Sequence, residues 1–302
     1  MEKGPERAIN IDRQYLQIDR ENLESQLEKI SDVLFQISKN DRFDNFSHMA
    51  KLADISSKEN IRPEDSVQLL DNWDYDSLSY IKNERSGNCV DFAILCQKML
   101  EDVGVPSTII GRFPEVKDYT KKQADFLKFK HLSIMYTNEN NGLNLFILEP
   151  SWKFSKPIPI KTGVHSVYKD WESEISQING TQFIQKAYNA QKDKRRERLY
   201  DIKPVDRNFC NQLTKNFIRI PRELKILNTR DEEVIQFLKF NPVKKLFTTN
   251  IDGVDKEFSP NFIGAEQKII LEEILEKPDL LEYITKVFDF TESLPDDFWI
   301  KD

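Results

Sequence analysis

Three residues of the chain have the types and the order of a thiol-based catalytic site. Cys89 stands in the stretch Arg-Ser-Gly-Asn-Cys-Val-Asp, directly before a strong helical pattern. His131 opens an apolar strand pattern, and Glu149 ends the next one. A thiol nucleophile needs a base that holds its proton and a group that orients this base. The sequence therefore predicts a catalytic triad of Cys89, His131 and Glu149.

The thiol of Cys89 attacks a carbonyl only as the thiolate, so an ordinary cysteine with a pKa near about 8.5 needs local activation. The helix start places the sulfur near free N–H groups and the positive end of the helix dipole. Arg85 adds positive charge or braces the turn. Gly87 is expected to let the backbone turn sharply and a substrate come close. Asp91 completes the motif.

The strands of His131 and Glu149 are joined by Asn138-Glu-Asn-Asn-Gly142, and this composition predicts a hairpin turn. Residues near the open ends of a hairpin become cross-strand neighbours. A turn centred near residue 140 therefore predicts that His131 pairs with Glu149. A carboxylate on the far imidazole nitrogen would fix the tautomer and favour an imidazolium beside a thiolate.

Each of these residues also has an ordinary interpretation when taken alone. A cysteine on a helix is usually core packing, which is the reading for Cys96. A histidine on a strand can be satisfied by a backbone carbonyl, and a lone glutamate is usually a surface acid. The order and the secondary structure together favour the triad. His48 and His165 lack such a context and are read as surface or cap residues.

Composition restricts the function classes. The 302 residues are 39% hydrophobic with a net charge of −7, which favours a globular protein and disfavours nucleic acid as a partner. The first residues are too polar for a signal peptide, and no apolar run is long enough for a membrane span. Three cysteines without a CxxC pair and three histidines disfavour a disulfide framework or a zinc site. We expect a soluble cytoplasmic protein without metal or cofactor.

The N-terminal half reads as helices followed by strands. Residues 1–19 are polar, and an apolar stripe predicts a helix over 20–39, formed by Leu23, Leu27, Ile30, Leu34 and Ile37. Further helices are predicted at Ser47–Ile55, from Pro63, and over 90–103 with Gly104 as the stop. A strand follows at 107–111, and the charged stretch 114–130 reads as a loop that gates the substrate.

The C-terminal part, beyond about residue 170, reads as helices with polar joints. They are predicted at 181–199, 231–240, 264–276 and 279–288. The resulting domain organisation is a helical N-terminal segment at 1–60, a catalytic core at 61–170 and a helical region at 171–302.

The motif around Cys89 resembles the transglutaminase-like superfamily. That family has an Arg-x-Gly-x-Cys-x-acid motif, matched by Arg85, Gly87, Cys89 and Asp91, and its helix ends in Gly-(Ile/Val)-Pro, matched by 104–106. A strand opened by histidine and a strand ended by Asp-Pro follow there, where this chain has His131 and Glu149-Pro150. The resemblance covers about residues 70–160.

The resemblance implies an α+β fold with a papain-like core, in which the nucleophile helix packs on an antiparallel sheet, with helical additions at both ends. It makes Cys89 the nucleophile, His131 the general base and acid, and Glu149 the orienting carboxylate. Two departures are the glutamate in place of the usual aspartate and Leu132-Ser133 after the histidine. Zinc-containing relatives have paired cysteines that this chain lacks.

An oxyanion hole needs donors aimed at the developing charge. The backbone N–H of Cys89 is one expected donor. A second donor is expected from an upstream side chain, and the candidates are Asn83, Trp73 and Gln68.

The predicted function is cysteine-dependent chemistry on an amide or related acyl bond, through a thioester on Cys89. Water as acceptor gives a protease or amidase, and an amine gives an acyltransferase. Hydrolysis is slightly favoured because an amine site must be built, whereas water is always present. The substrate is a peptide or protein, or a small amide or acyl donor. The alternative is a non-catalytic binding module that keeps the fold.

Overall fold

The structure is a computed structural model of the 302-residue chain. It describes residues 6–113, 131–138, 144–152, 156–160, 163–168, 171–189, 194–219, 224–230, 233–251, 254–259 and 280–299. The chain forms two compact units. Unit 1 comprises Met1–Ile37, Cys96–Pro150 and Phe154–Val205; unit 2 comprises Ser38–Leu95, Ser151–Lys153 and Asp206–Asp302.

Unit 1 is built around an eight-stranded antiparallel sheet with the strand order β6-β5-β4-β3-β10-β9-β8-β7. Its strands are β3 (Ser107–Phe113), β4 (His131–Asn138), β5 (Asn144–Leu148), β6 (Ile158–Ile160), β7 (Gly163–Tyr168), β8 (Trp171–Gln177), β9 (Gln182–Asn189) and β10 (Lys194–Asp201). The central strands β3 and β10 pair directly, although they are far apart in the sequence. The predicted strands at 107–111, 131–137 and 143–148 are confirmed.

The first helix, α1 (Glu6–Asn40), begins earlier than the sequence pattern predicted. The predicted apolar stripe is confirmed, because Ile30, Leu34 and Ile37 are buried. Leu23 and Leu27 are half-buried, as is usual toward the end of an amphipathic stripe. The core of the sheet in unit 1 is a separate apolar cluster of Ile110, Met135, Ile147, Ile158, Ile175, Phe183 and Tyr200.

Unit 2 combines helices with a four-stranded antiparallel sheet. Its helices are α2 (Phe46–Glu59), α3 (Ser66–Asn72), α4 (Ser77–Glu84), α6 (Arg207–Ile218) and α7 (Leu280–Ser293), with 3-10 turns at Pro63–Asp65 and Asp296–Phe298. The sheet is β11 (Lys225–Arg230), β12 (Glu233–Asn241), β13 (Leu246–Ile251) and β14 (Val254–Phe258). Phe240 and Phe247 stack with ring centroids 4.5 Å apart in the apolar core of this unit.

Helix α5 (Cys89–Asp102) confirms the predicted helix over 90–103. It ends at Gly104, whose φ of +75° is a backbone conformation that glycine adopts without strain. The N–H of Val105 donates to Leu100 O at 2.8 Å, and the N–H of Gly104 donates to Glu101 O at 3.0 Å. These two bonds form a Schellman motif, which satisfies carbonyls at the helix end.

The prediction of a wholly helical C-terminal region is wrong. Residues 181–199 form the hairpin of β9 and β10, and 231–240 lie mostly in β12. Burial alternates in β12, because Leu238 and Phe240 are buried while Lys239 between them is exposed. In β9, Phe183 and Gln185 are buried and Lys186 is exposed. The charged residues of these segments recur at a spacing that is typical of one face of a helix. Pairing with neighbouring strands nevertheless stabilises an extended backbone in both segments.

The predicted helix over 279–288 is confirmed as α7. The predicted helix over 264–276 and the gating loop at 114–130 lie outside the described residues. The segments 1–60, 61–170 and 171–302 remain a prediction about domains. No helix within the described ranges is long and apolar enough to cross a membrane.

The core of unit 2 makes a testable prediction about stability. Leu238 is fully buried among the aromatic and aliphatic side chains of this core. We expect Leu238→Ala to lower the free energy of unfolding by about 2–5 kcal/mol, because it removes buried methyl groups and leaves a cavity. Val243→Ala is the control, since Val243 is 68% exposed and its change should stay within about 0.5 kcal/mol. Equal effects in a denaturant titration would contradict this core.

Candidate active site

Cys89 is the first residue of helix α5, and its side chain is only 7% exposed. The turn before it is held by a short parallel pair of β1 (Arg42–Phe43) and β2 (Ser86–Gly87). The N–H of Arg42 donates to Arg85 O at 3.0 Å, and the N–H of Asp44 donates to Gly87 O at 3.0 Å. The backbone on both sides of the turn is therefore fixed before the helix starts.

A reciprocal pair of side chains caps the start of α5. Oδ1 of Asn88 accepts from the N–H of Val90 at 2.8 Å and of Asp91 at 3.3 Å. In return, Oδ2 of Asp91 accepts from the N–H of Asn88 at 2.8 Å. This capping box satisfies the first amides of the helix. The backbone N–H groups of Val90 and Asp91 are therefore already used and cannot serve as oxyanion donors. The N–H of Cys89 stays the expected donor.

Gly87 is required by the Asp91 carboxylate. A Cβ on Gly87 would lie 2.7 Å from Cβ and 2.8 Å from Oδ2 of Asp91. No real pair of such atoms is this close, so another residue here would displace the carboxylate. The sequence predicts that Gly87 lets the backbone turn sharply and lets a substrate come close. Its φ is not among the positive values, and the contact with Asp91 gives the observed reason.

Asp91 is fully buried and has two further side-chain partners. Nε2 of His48 lies 3.1 Å from Oδ2 of Asp91 and 3.0 Å from the hydroxyl oxygen of Tyr75. The hydroxyl of Tyr75 donates to Oδ1 of Asp91 in a short hydrogen bond. Burial, with the Asp91 charge adding to it, raises the pKa of Tyr75 well above its usual value, so the hydroxyl keeps its proton and donates. His48 was predicted to be a surface or cap residue, and this is wrong.

Arg85 braces the turn. It is the C-cap of α4 with φ 52°, and its Nε lies 3.4 Å from Oδ1 of the buried Asp41. The side chain is 52% exposed, so this ion pair contributes little to stability. Two roles are predicted for Arg85, namely positive charge near the thiol and bracing of the turn. The contact with Asp41 supports the bracing role.

In unit 1, the Glu149 side chain is completely buried directly after β5. The hydroxyl of Tyr200 donates to Oε1 of Glu149 at 2.6 Å, and Oε1 of Gln185 lies 3.4 Å from the same hydroxyl. Burial first, and then the Glu149 charge, raises the pKa of Tyr200. Burial acts to lower the pKa of Arg198, but Tyr200 and Glu149 raise it more. A buried carboxylate is thus held by a hydroxyl and lies near a cation.

His131 is the first residue of β4, and its side chain lies outside the described part of the structure. The register of β4 and β5 pairs Ile134 with Leu148. Continuing this register by one residue puts Glu149 opposite Ser133, not opposite His131. The predicted direct pair is therefore wrong by two residues.

The three candidates for a second oxyanion donor lie in unit 2. Gln68 on α3 and Asn83 on α4 expose their side chains. Trp73 is half-buried and packs edge-on against Tyr75, with ring centroids 4.8 Å apart. Their role stays a prediction. Within the described ranges, no group of three or more His, Cys, Asp and Glu side chains could hold a metal ion.

Sequence reasoning missed His48 and Tyr75, which contact Asp91, and Tyr200, which donates to Glu149. It also missed Gln185 and Arg198, which interact with Tyr200. One signal was available for His48, which lies on the apolar face of α2 among Phe46, Met49, Leu52 and Ala53. A histidine on such a face needs a polar partner in the core. Tyr200 was hidden because its strand was read as a helix.

Known proteins share the fold of this chain. No protein-family model matches it, and no curated protein matches its sequence. Solved structures do match over nearly the full length. A cysteine-to-glutamine variant of the Mycobacterium smegmatis arylamine N-acetyltransferase has a TM-score of 0.55 at 12% identity, covering 89% of this chain and 93% of that one.

Two further arylamine N-acetyltransferases are similar. The Nocardia farcinica structure has a TM-score of 0.52 at 12% identity, covering 90% of this chain and 88% of that one. The Mycobacterium marinum structure in complex with CoA has a TM-score of 0.50 at 12% identity, with 86% and 93% covered. The chain has the fold of these enzymes, which supports the predicted α+β, papain-like architecture.

The contact between Gly87 and Asp91 predicts a local effect on the nucleophile turn. We expect Gly87→Ala to lower the free energy of unfolding by about 1–3 kcal/mol, because the added Cβ overlaps the Asp91 carboxylate. Cys89 should also react more slowly with iodoacetamide. Gly180→Ala is the control, since an added Cβ there meets no atom within 4 Å. Wild-type stability and thiol reactivity in Gly87→Ala would contradict the described contact.

The three free cysteines predict a selective pattern of labelling. Burial raises the pKa of Cys96, and it raises the pKa of Cys210 to about 12, with Asp206 and Cys89 adding to the shift. In the native protein at near-neutral pH, we therefore expect iodoacetamide to label Cys89 and to spare the other two. Peptide mass spectrometry measures each rate, and equal rates for all three would contradict the prediction.

The raised pKa of Cys210 makes the free energy of unfolding depend on pH in the alkaline range. An unfolded chain ionises its thiols near about pH 8.5, whereas the folded chain keeps Cys210 protonated until about pH 12. The stabilisation is thus complete below the unfolded pKa and is lost as the pH rises through the folded value. Cys210→Ala should flatten the fall of the unfolding free energy in this range, and an unchanged slope would oppose the assignment.

Proposed function

We propose that the chain is an acyltransferase that moves an acyl group from a thioester donor to an amine through Cys89. The observation that carries the proposal is the capped cysteine at the first position of α5, in a chain that shares the fold of arylamine N-acetyltransferases over 89% of its length. The relative in complex with CoA supports a CoA thioester as the donor. The amine class that fits best is an arylamine.

In the first step, the Cys89 thiolate attacks the carbonyl of the donor. The new bond joins the sulfur of Cys89 to the acyl carbon, and the bond from that carbon to the CoA sulfur breaks. The imidazolium of His131 gives its proton to the departing thiolate. The N–H of Cys89 donates to the oxyanion of the tetrahedral intermediate. The products are an acyl-cysteine and free CoA.

In the second step, the amine attacks the acyl carbon of the thioester on Cys89. The C–N bond forms, the C–S bond to Cys89 breaks, and the amine proton passes to His131. This restores the thiolate and imidazolium for another turnover. The reaction is thus ping-pong, because CoA leaves before the amine reacts.

Glu149 is proposed to orient the imidazole of His131 from the next strand. Its Oε1 accepts a hydrogen bond from the hydroxyl of Tyr200 at 2.6 Å, which holds the carboxylate at the end of β5. The Arg198 cation interacts electrostatically with this carboxylate. An ionised, buried carboxylate stabilises the imidazolium during each proton transfer.

Hydrolysis of peptides or amides is the less supported activity. The sequence slightly favoured it, because water needs no binding site. The likeness to acetyltransferases over nearly the whole chain favours transfer to an amine instead. A papain-like fold that only binds a partner is the third possibility, and it predicts no turnover at all.

The proposal is tested by the release of CoA thiol from acetyl-CoA with and without an arylamine such as aniline. We expect release that needs the amine, together with formation of the N-acetyl product. Cys89→Ser should lower the rate by at least about 100-fold, since the alkoxide route lacks an activated nucleophile. Cys96→Ala is the matched control on the same helix, because its thiol is fully buried and protonated.

Three other results would contradict acyl transfer. Equal CoA release with and without amines would assign hydrolysis. Equal activity in wild type and Cys89→Ser would remove the cysteine from the chemistry. No reaction of Cys89 with any thioester would leave the binding-module interpretation.

A further inference from the structure

The buried cluster of His48, Tyr75 and Asp91 is not used by the chemistry proposed above, yet it adjoins the nucleophile. Asp91 is two residues after Cys89, and its carboxylate holds the amide of Asn88, one residue before it. His48 and Asp91 are fully buried, and Tyr75 is 6% exposed. Burial of a carboxylate beside the turn that carries Cys89 is costly, so the presence of this cluster requires an explanation.

The protons of the cluster can be assigned from its geometry. The hydroxyl of Tyr75 gives its proton to Oδ1 of Asp91, so Nε2 of His48 must carry the proton that faces Oδ2 and the tyrosine oxygen. Among the described residues, Nδ1 of His48 has no hydrogen-bond partner. This fits a neutral imidazole protonated on Nε2, since a second buried N–H would be left unpaired.

The cluster leaves the Asp91 carboxylate little freedom. Three donors fix its two oxygens, and the carboxylate packs so close to Gly87 that a Cβ added there would lie 2.8 Å from Oδ2. Stacking fixes the rings as well, because the His48 ring lies on Tyr80 with centroids 4.4 Å apart. A shift of Asp91 would move Asn88 and, with it, the first residue of α5.

We propose that His48 and Tyr75 are positioning residues for Cys89, which act through the Asp91 carboxylate to fix the turn that carries the sulfur. The inference rests on the proposed function only in taking Cys89 as the nucleophile. Loss of either donor leaves a buried carboxylate lone pair unpaired, so the carboxylate turns away and the turn loosens. Misplacement of a nucleophile by about 1 Å can cost a large factor in rate.

The test compares Tyr75→Phe, His48→Leu and His48→Gln with the control Tyr80→Phe. The control removes a hydroxyl from the same aromatic cluster and leaves every hydrogen bond to Asp91 described above in place. Glutamine keeps an N–H donor near the position of Nε2, whereas leucine has none. The readouts are the rate of Cys89 alkylation by iodoacetamide, the kcat and KM for acetyl-CoA, and the thermal unfolding midpoint.

We expect Tyr75→Phe and His48→Leu to slow alkylation and to lower kcat by about 10-fold or more at unchanged KM. His48→Gln should recover most of this loss, and Tyr80→Phe should react like wild type. Wild-type alkylation in Tyr75→Phe would overturn the proposal. So would an equal loss in Tyr80→Phe or no recovery in His48→Gln, because both indicate general loosening of the core.

Alkylation needs no acyl donor, so the two proposals fail separately. The predicted pattern of alkylation in a protein without transferase activity would support the positioning role and reject the proposed function. Full transferase activity in every variant would do the reverse.

Discussion

The hydrogen bonds of the Asp91 carboxylate organise the start of helix α5, whose first residue is Cys89. This one buried group accepts from the amide of Asn88, from the hydroxyl of Tyr75 and from Nε2 of His48. Gly87 has no side chain, and this lets the carboxylate approach the backbone. Burial of a carboxylate is costly unless donors such as these replace the water that it loses. The position of Cys89 therefore depends on residues from two helices, α2 and α5, and from the segment before α4.

The second buried carboxylate, Glu149, follows the same physical rule in a different setting. It lies at the end of a strand and accepts from Tyr200 on β10, whose hydroxyl also lies 3.4 Å from Oε1 of Gln185 on β9. Tyr200 keeps its proton because burial and the negative charge raise its pKa, so it serves as a donor. A glutamate side chain has one rotatable bond more than an aspartate side chain, so the hydrogen bond from Tyr200 is needed to fix its carboxylate. Strands β9 and β10 thus supply Phe183 and Tyr200 to the apolar core of unit 1, and Tyr200 also donates to Glu149.

The local features of the site were predictable from the sequence. The helix from Cys89 to its stop at Gly104, the strand opened by His131 and the carboxylate ending the next strand all follow from local patterns. The cross-strand register did not, because the turn length alone leaves it uncertain by two residues. The C-terminal strands were read as helices, because their charges recur at helical spacing while burial by neighbouring strands decides the outcome. The partners of Asp91 and Glu149 come from distant segments, and a single sequence carries no signal for such contacts.

The most direct measurement of the central claim is a rapid-quench reaction of the enzyme with acetyl-CoA in the absence of amine, followed by peptide mass spectrometry. The account predicts one acetyl group per chain, attached to Cys89, that disappears when an arylamine is added and forms much more slowly in His131→Ala. Acetylation at another residue, or none while CoA is released, would contradict it.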